Sequence, residues 1–220
     1  MDQTDYTSKE FSGSGAKMIF GESTAEGIAG MGAVALAILG LVNILPAMLV
    51  SISIIAVGVA LAFEGGAISA RYAAYIREAH SKMDATLRWS GISALFLAGA
   101  AGIALGILAL IGVVPTVLIP VAALVFGAAL VLDSGANERL SMMEAHHAEE
   151  FKISEHAVKE TARASAGVQV LVGIGSIVLG ILALIGIHPI VLSLVAMLAL
   201  GAATLITGAA IGGRMARVFR

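Results

Sequence analysis

Cysteine is absent from the 220 residues, only 13% are Asp, Glu, Lys or Arg, and aromatic residues make up 5%, with a single Trp. Without cysteine there is no disulfide, no thiolate metal site and no iron–sulfur cluster. An ordinary soluble domain is about 25% charged and about 45–50% apolar, whereas this chain is 59% hydrophobic with a mean hydropathy of +0.98. So few charges cannot cover a water-facing surface that hides so much apolar area. The composition is that of an integral membrane protein whose first partner is the lipid bilayer. A net charge of −2 gives no electrostatic reason to expect nucleic acid as a partner. The opening MDQTDYTSKE is acidic and polar, and lacks the basic front and apolar centre of a secretory signal.

What the chain does have is repetition. LGILALIG occurs at Leu105–Gly112 and again at Leu179–Gly186, each time followed by two residues and a proline. Alignment on proline extends the match to three units, anchored on Pro46, Pro115 and Pro189. Sixteen residues before these stand Gly30, Gly99 and Gly173; thirteen before, Ala33, Gly102 and Ser176; nine before, Ala37, Gly106 and Gly180. Twelve residues after them come Gly58, Gly127 and Gly201. The ends are alike as well: EGGAISAR (Glu64–Arg71) resembles TGAAIGGR (Thr207–Arg214), and DSGANER (Asp133–Arg139) is a shorter version. A fixed set of small residues at fixed offsets is the mark of one structural unit used three times.

Each unit is two apolar arms about a proline: Gly27–Leu45 with Pro46–Phe63, Gly91–Val114 with Pro115–Leu132, and Gly167–His188 with Pro189–Ile206. Arms of about 18–22 residues reach about 27–33 Å as helix, which matches a bilayer's hydrocarbon core. They must be helical because unpaired amides are not tolerated in lipid, and their lack of charge argues against a soluble bundle. The turns NILP, GVVP and GIHP carry no charged residue, and proline suits the first turn of the second helix. The expected fold is therefore all-α and integral to the membrane, with six transmembrane helices as three Gly-rich hairpins and a proline at each turn. The chain divides into an N-terminal tail (1–26), hairpin 1 (27–63), a connection (64–90), hairpin 2 (91–132), a second connection (133–166), hairpin 3 (167–211) and a basic C-terminal tail (212–220).

All 13 Lys and Arg residues lie in the tails and connections and none in the turns, so the positive-inside rule makes that side cytoplasmic. The location expected is a bacterial or archaeal inner membrane, multi-pass, with both termini cytoplasmic. In the first connection Ile68, Tyr72, Ile76, Ala79, Met83 and Leu87 recur at steps of three and four, the stripe of an amphipathic helix. With Arg71, Arg77, Lys82 and Arg88 around it, the segment fits an in-plane helix at the headgroups; the alternative is a stalk continuing the second membrane helix. The second connection reads as helix with a break near Ser154.

The small residues at offsets sixteen, thirteen and nine share one helix face, where they permit the close backbone approach that drives association in lipid. Two uses are open: packing within and between hairpins, or exposure of one copy that recruits another membrane subunit or a second copy of the chain.

Chemistry is scarce. Glu144 and His147 form a Glu-x-x-His pair with Glu150 three residues on, but di-iron bundles need that pair twice, and Glu78 and His80 do not share a face. His146, His147 and His156 beside acids read as a solvated surface, so no metal site is assigned. His188 is the only ionisable side chain in the turns; it reads as an interfacial residue, with an outward acid sensor as the sharper alternative. The arms contain no Asp, Glu, Lys or Arg, and Glu64 and Asp133 stand at their cytoplasmic ends. That argues against ion-coupled transport. With no Walker motif, no nucleophile in a recognisable catalytic setting and no intramembrane histidine, neither catalytic residues nor a cofactor are expected.

The hairpin LGILALIGIHPIVLSLVAMLALGAATLITGAA resembles the repeats of the HdeD-type family of small inner-membrane proteins linked to acid resistance. The resemblance covers the hairpins only and implies six membrane helices; no site residues transfer with it. The function expected is a non-catalytic scaffold or accessory subunit, with an HdeD-like stress protein and a passive channel for a small neutral solute as alternatives.

Overall fold

The computed structural model describes the backbone of residues 27–78, 94–147 and 155–218, and the side chains of residues 27–66, 94–134 and 167–207. It is all-helical: α1 (Gly27–Leu41), α2 (Pro46–Glu78), α3 (Ala94–Leu110), α4 (Pro115–His147), α5 (Glu155–Leu184) and α6 (Pro189–Val218). Four stretches are long and apolar enough to cross a membrane: Pro46–Gly66, Pro115–Ser134, Gly167–Leu184 and Pro189–Thr207. The apolar helices Gly27–Leu41 and Ala94–Leu110 are shorter. This is a membrane-type, multi-pass helical fold.

Three tight turns join α1 to α2, α3 to α4 and α5 to α6, and they are built alike. Asn43, Gly112 and Gly186 have φ of 69°, 93° and 96°, the left-handed conformation that Asn and Gly tolerate best. Each donates its N–H to a carbonyl three residues back, and the next residue reaches five back: Ile44 to Leu39, Val113 to Leu108, Ile187 to Leu182, at 3.0–3.3 Å. That double bond pattern is a Schellman cap. The residue before each proline is also left-handed, with φ of 43° at Leu45, 37° at Val114 and 39° at His188. Its carbonyl then accepts the first bond of the new helix, as from Leu49, Leu118 and Leu192.

Glycine contacts fix the helix order. A Cβ on Gly30 of α1 would stand 2.7 Å from the Leu205 nitrogen and 2.9 Å from the Gly201 carbonyl oxygen, both on α6. One on Gly173 of α5 would lie 2.8 Å from the Gly127 carbonyl oxygen of α4, and Gly99 of α3 faces Gly58 of α2 in the same way. Gly106 lies against Ser51 and Ile54 while Gly99 lies against Ala62, so α3 runs antiparallel to α2. Gly180 against Pro120 and Leu124 makes α5 antiparallel to α4, and Gly40 against Leu194 does the same for α1 and α6. Each of α1, α3 and α5 therefore also packs on the second helix of a different hairpin, and α1 on α6 closes the circle.

Inside the circle α2, α4 and α6 are parallel and meet one another. Their apolar stretches are each 44% buried, against 28% for that of α5. Three inner helices, three outer ones.

The amphipathic segment expected to start at Glu64 is not a separate element at its beginning: α2 continues without a break through Ile68 and Tyr72 to Glu78. The stalk alternative describes this part, because one continuous ladder of helix hydrogen bonds is kept across the last apolar turn. Residues 79–93 lie outside the described residues. The helices α4 and α6 likewise pass their expected ends, to His147 and Val218.

Candidate functional site

A pore or a buried reaction centre would have to lie on the axis of the three inner helices. On each, one face meets the preceding outer helix and another meets the next, with buried residues between them. They recur four, eight, eleven and fifteen residues after the proline, the spacing of a heptad seam. Read across the helices these are Val50, Ile119 and Ser193; Ile54, Ala123 and Met197; Val57, Phe126 and Leu200; Leu61, Leu130 and Thr204. All are buried. Among the described residues these form a packed seam, and Ile54, Phe126, Leu130 and Thr204 lie against Gly106, Gly102, Gly173 and Gly30 of the outer helices.

The seam's polar members are the hydroxyls of Ser193 and Thr204, and other buried hydroxyls flank it. Thr204 Oγ1 donates to the Gly201 carbonyl at 3.0 Å, and Ser51 Oγ to that of Ala47 at 2.9 Å, both within their own helices. Ser53 Oγ crosses between helices and donates to the Ala33 carbonyl of α1 at 3.2 Å. The hydroxyls of Ser176 and Ser193 are buried and have no partner among the described residues. Pro120 stands inside α4 at the position that Ser51 holds in α2.

Both acids at the arm ends are engaged in interactions; Asp133 is buried, at 4% exposure, and Glu64 is partly so. Among the described residues no group of three His, Asp or Glu side chains is placed to hold a metal. The Glu144, His147 and Glu150 cluster, His80, His146 and His156 lie outside the residues whose side chains are described. His188 sits exposed at the tip of the third turn, far from both acids along the chain.

All three copies of the small face are occupied by the chain's own helices: Gly30, Ala33 and Ala37, Gly99, Gly102 and Gly106, and Gly173, Ser176 and Gly180 are all buried. Gly102 has a second reason to be small, since a Cβ there would overlap the Phe126 ring. A contact with another subunit has to use a different surface. The surface on offer is apolar, including a groove of about 480 Å³ between α2 and α3 framed by Phe63 and Phe96. Sequence reasoning missed the inner seam, because its residues are no more apolar than those facing lipid. Comparison with known proteins adds no relative: no family model matches the chain, and neither a curated protein nor a solved structure matches it.

Proposed function

We propose that this chain is a non-catalytic integral membrane protein, a six-span ring of three glycine-rich hairpins that serves as a scaffold or accessory subunit in an oligomer or a larger membrane complex. The carrying observation is the filled inner seam. Its rows are apolar apart from Ser193 and Thr204, and the one buried acid among the described residues, Asp133, stands at an arm end and is engaged in interactions, which favours the outside as the working surface. On α5 that outside is a row of exposed apolar residues, Val168, Leu171, Ile174, Val178 and Ile181, at steps of three and four. A rigid block with such faces suits lateral packing against other membrane helices. Both termini are on the cytoplasmic side in this reading, by the distribution of basic residues, and the membrane is a bacterial or archaeal inner one.

Solubilisation in a mild detergent, followed by purification of the natural complex, tests it. Fixed partners or a defined homo-oligomer are expected. A monomer that carries a solute flux into liposomes would replace the scaffold reading with the channel. The hairpin likeness to HdeD-type proteins favours one second reading, a role in acid stress, which a deletion strain with reduced survival at low pH would support.

A further inference from the structure

The turn end of the bundle is largely apolar and carries no fixed charge. Val42, Ile44, Leu45, Ile111, Val113 and Ile185 are exposed there at 45–73%. The polar side chains in the turns and in the residue after each proline are Asn43, Thr116 and His188. None bears a fixed charge. Two N–H groups of each turn, those of Asn43 and Ile44 and their counterparts, go to carbonyls of the helix just ended. Proline supplies no N–H to satisfy.

Length agrees. Glu64 and Asp133 stand eighteen residues beyond Pro46 and Pro115, about 27 Å along a helix, and the turn adds only a few ångströms. A hydrocarbon core is about 30 Å thick, and about 40–45 Å with both headgroup layers. With the two acids at the near boundary of the hydrocarbon, the turns stop at the far boundary. They fall about 5–7 Å short of water, and helix tilt shortens the reach further. Drawing them out would pull Glu64 and Asp133 inward by as much.

We propose that the three turns form an apolar cap seated among the upper acyl chains and ester groups of the distal leaflet, so that this protein presents no aqueous face on that side. The proposal rests on the membrane reading above and adds depth to it.

Single cysteines in this cysteine-free chain test it, placed for Val113 and Ile187 in the cap and for Ile107 on α3, more than one helical turn short of the cap. Each is spin-labelled in liposomes of phosphatidylethanolamine and phosphatidylglycerol, and its accessibility to oxygen is compared with that to a water-soluble nickel chelate. The cap labels are expected to favour oxygen severalfold, as Ile107→Cys does. A membrane-impermeant maleimide should modify the folded cap variants more than an order of magnitude more slowly than the same variants unfolded in dodecyl sulfate. Nickel access and fast modification at both cap positions, with Ile107→Cys still lipid-like, would overturn the cap alone. Nickel access at Ile107→Cys too would overturn the membrane reading and the cap with it.

Discussion

Gly99 and Gly58 face each other so closely that a Cβ on Gly99 would stand 2.5 Å from the Gly58 carbonyl oxygen, and one on Gly58 would stand 2.9 Å from the Gly99 carbonyl oxygen. Backbone, unlike a flexible side chain, cannot swing away. Gly58→Ala or Gly99→Ala should therefore lower stability by about 1–3 kcal/mol, the ordinary cost of overpacking. Gly32→Ala and Gly175→Ala, where nothing lies within 4 Å, should be neutral or gain up to about 1 kcal/mol from helix propensity. Melting in detergent separates the two sets, and equal shifts would mean that the small faces do not hold the helices together.

Gly102 is paired with the Phe126 ring, which a Cβ would overlap. Gly102→Leu should disrupt the fold more than isoleucine at Leu108, which is exposed. Because the obstacle is a side chain, Phe126→Leu should recover part of the loss from Gly102→Ala, so that the double variant melts above the additive sum. Strict additivity would count against a direct contact.

At the second turn Val114 holds φ at 37°, a costly conformation for a β-branched residue. Val114→Gly should remove about 1–2 kcal/mol of left-handed strain and lose about 0.5–1 kcal/mol to the extra chain entropy of glycine. A net gain of about 0.5–1 kcal/mol in detergent unfolding is expected. A loss would mean that packing of the valine outweighs its strain.

Two buried serines should behave in opposite ways. Ser53→Ala breaks the bond to the Ala33 carbonyl and should cost about 0.6 kcal/mol, the mean for interhelical hydrogen bonds in membranes. Ser193→Ala removes a buried hydroxyl without a partner among the described residues and should be neutral or stabilising. Chemical unfolding in mixed micelles distinguishes them.

Orientation is testable with the same cysteine-free background. Cysteine at His80 or Glu150 should react with an impermeant maleimide only after the cytoplasmic side is opened. Reaction from outside in intact cells would reverse the topology drawn from the basic residues.

Much of this was legible in the sequence because small residues carry positional information. Gly30, Gly58, Gly99, Gly127, Gly173 and Gly201 are the crossing points in the structure, and all were marked by shared offsets from proline. Which glycine meets which was not legible, since a missing side chain says that something comes close without saying what. The inner seam was hidden for another reason. In water a buried face differs in polarity from an exposed one, but here the buried Ile54 and the exposed Ile52 are the same residue type. The caps were half legible: Gly112 and Gly186 signalled left-handed turns, whereas Leu45 and Val114 give no such sign. The continuation of α2 to Glu78 was obscured by the switch from apolar to mixed composition at Glu64, which changes the surroundings of the helix but not its hydrogen bonding.

The pairing of Gly30 with Gly201 also sets a schedule. These two residues are about 170 positions apart in the chain, and a ribosome adding about 5–20 residues per second needs about 10–30 s to cover that distance. The pairs Gly58 with Gly99 and Gly127 with Gly173 are within reach soon after their helices are made. For the whole of that interval α1 waits with its small face unmatched by its eventual neighbour, and the ring is finished only when α6 has emerged. Biogenesis of this protein thus hinges on its slowest and most distant contact, which makes the α1–α6 joint the place where assembly goes wrong first when synthesis is interrupted.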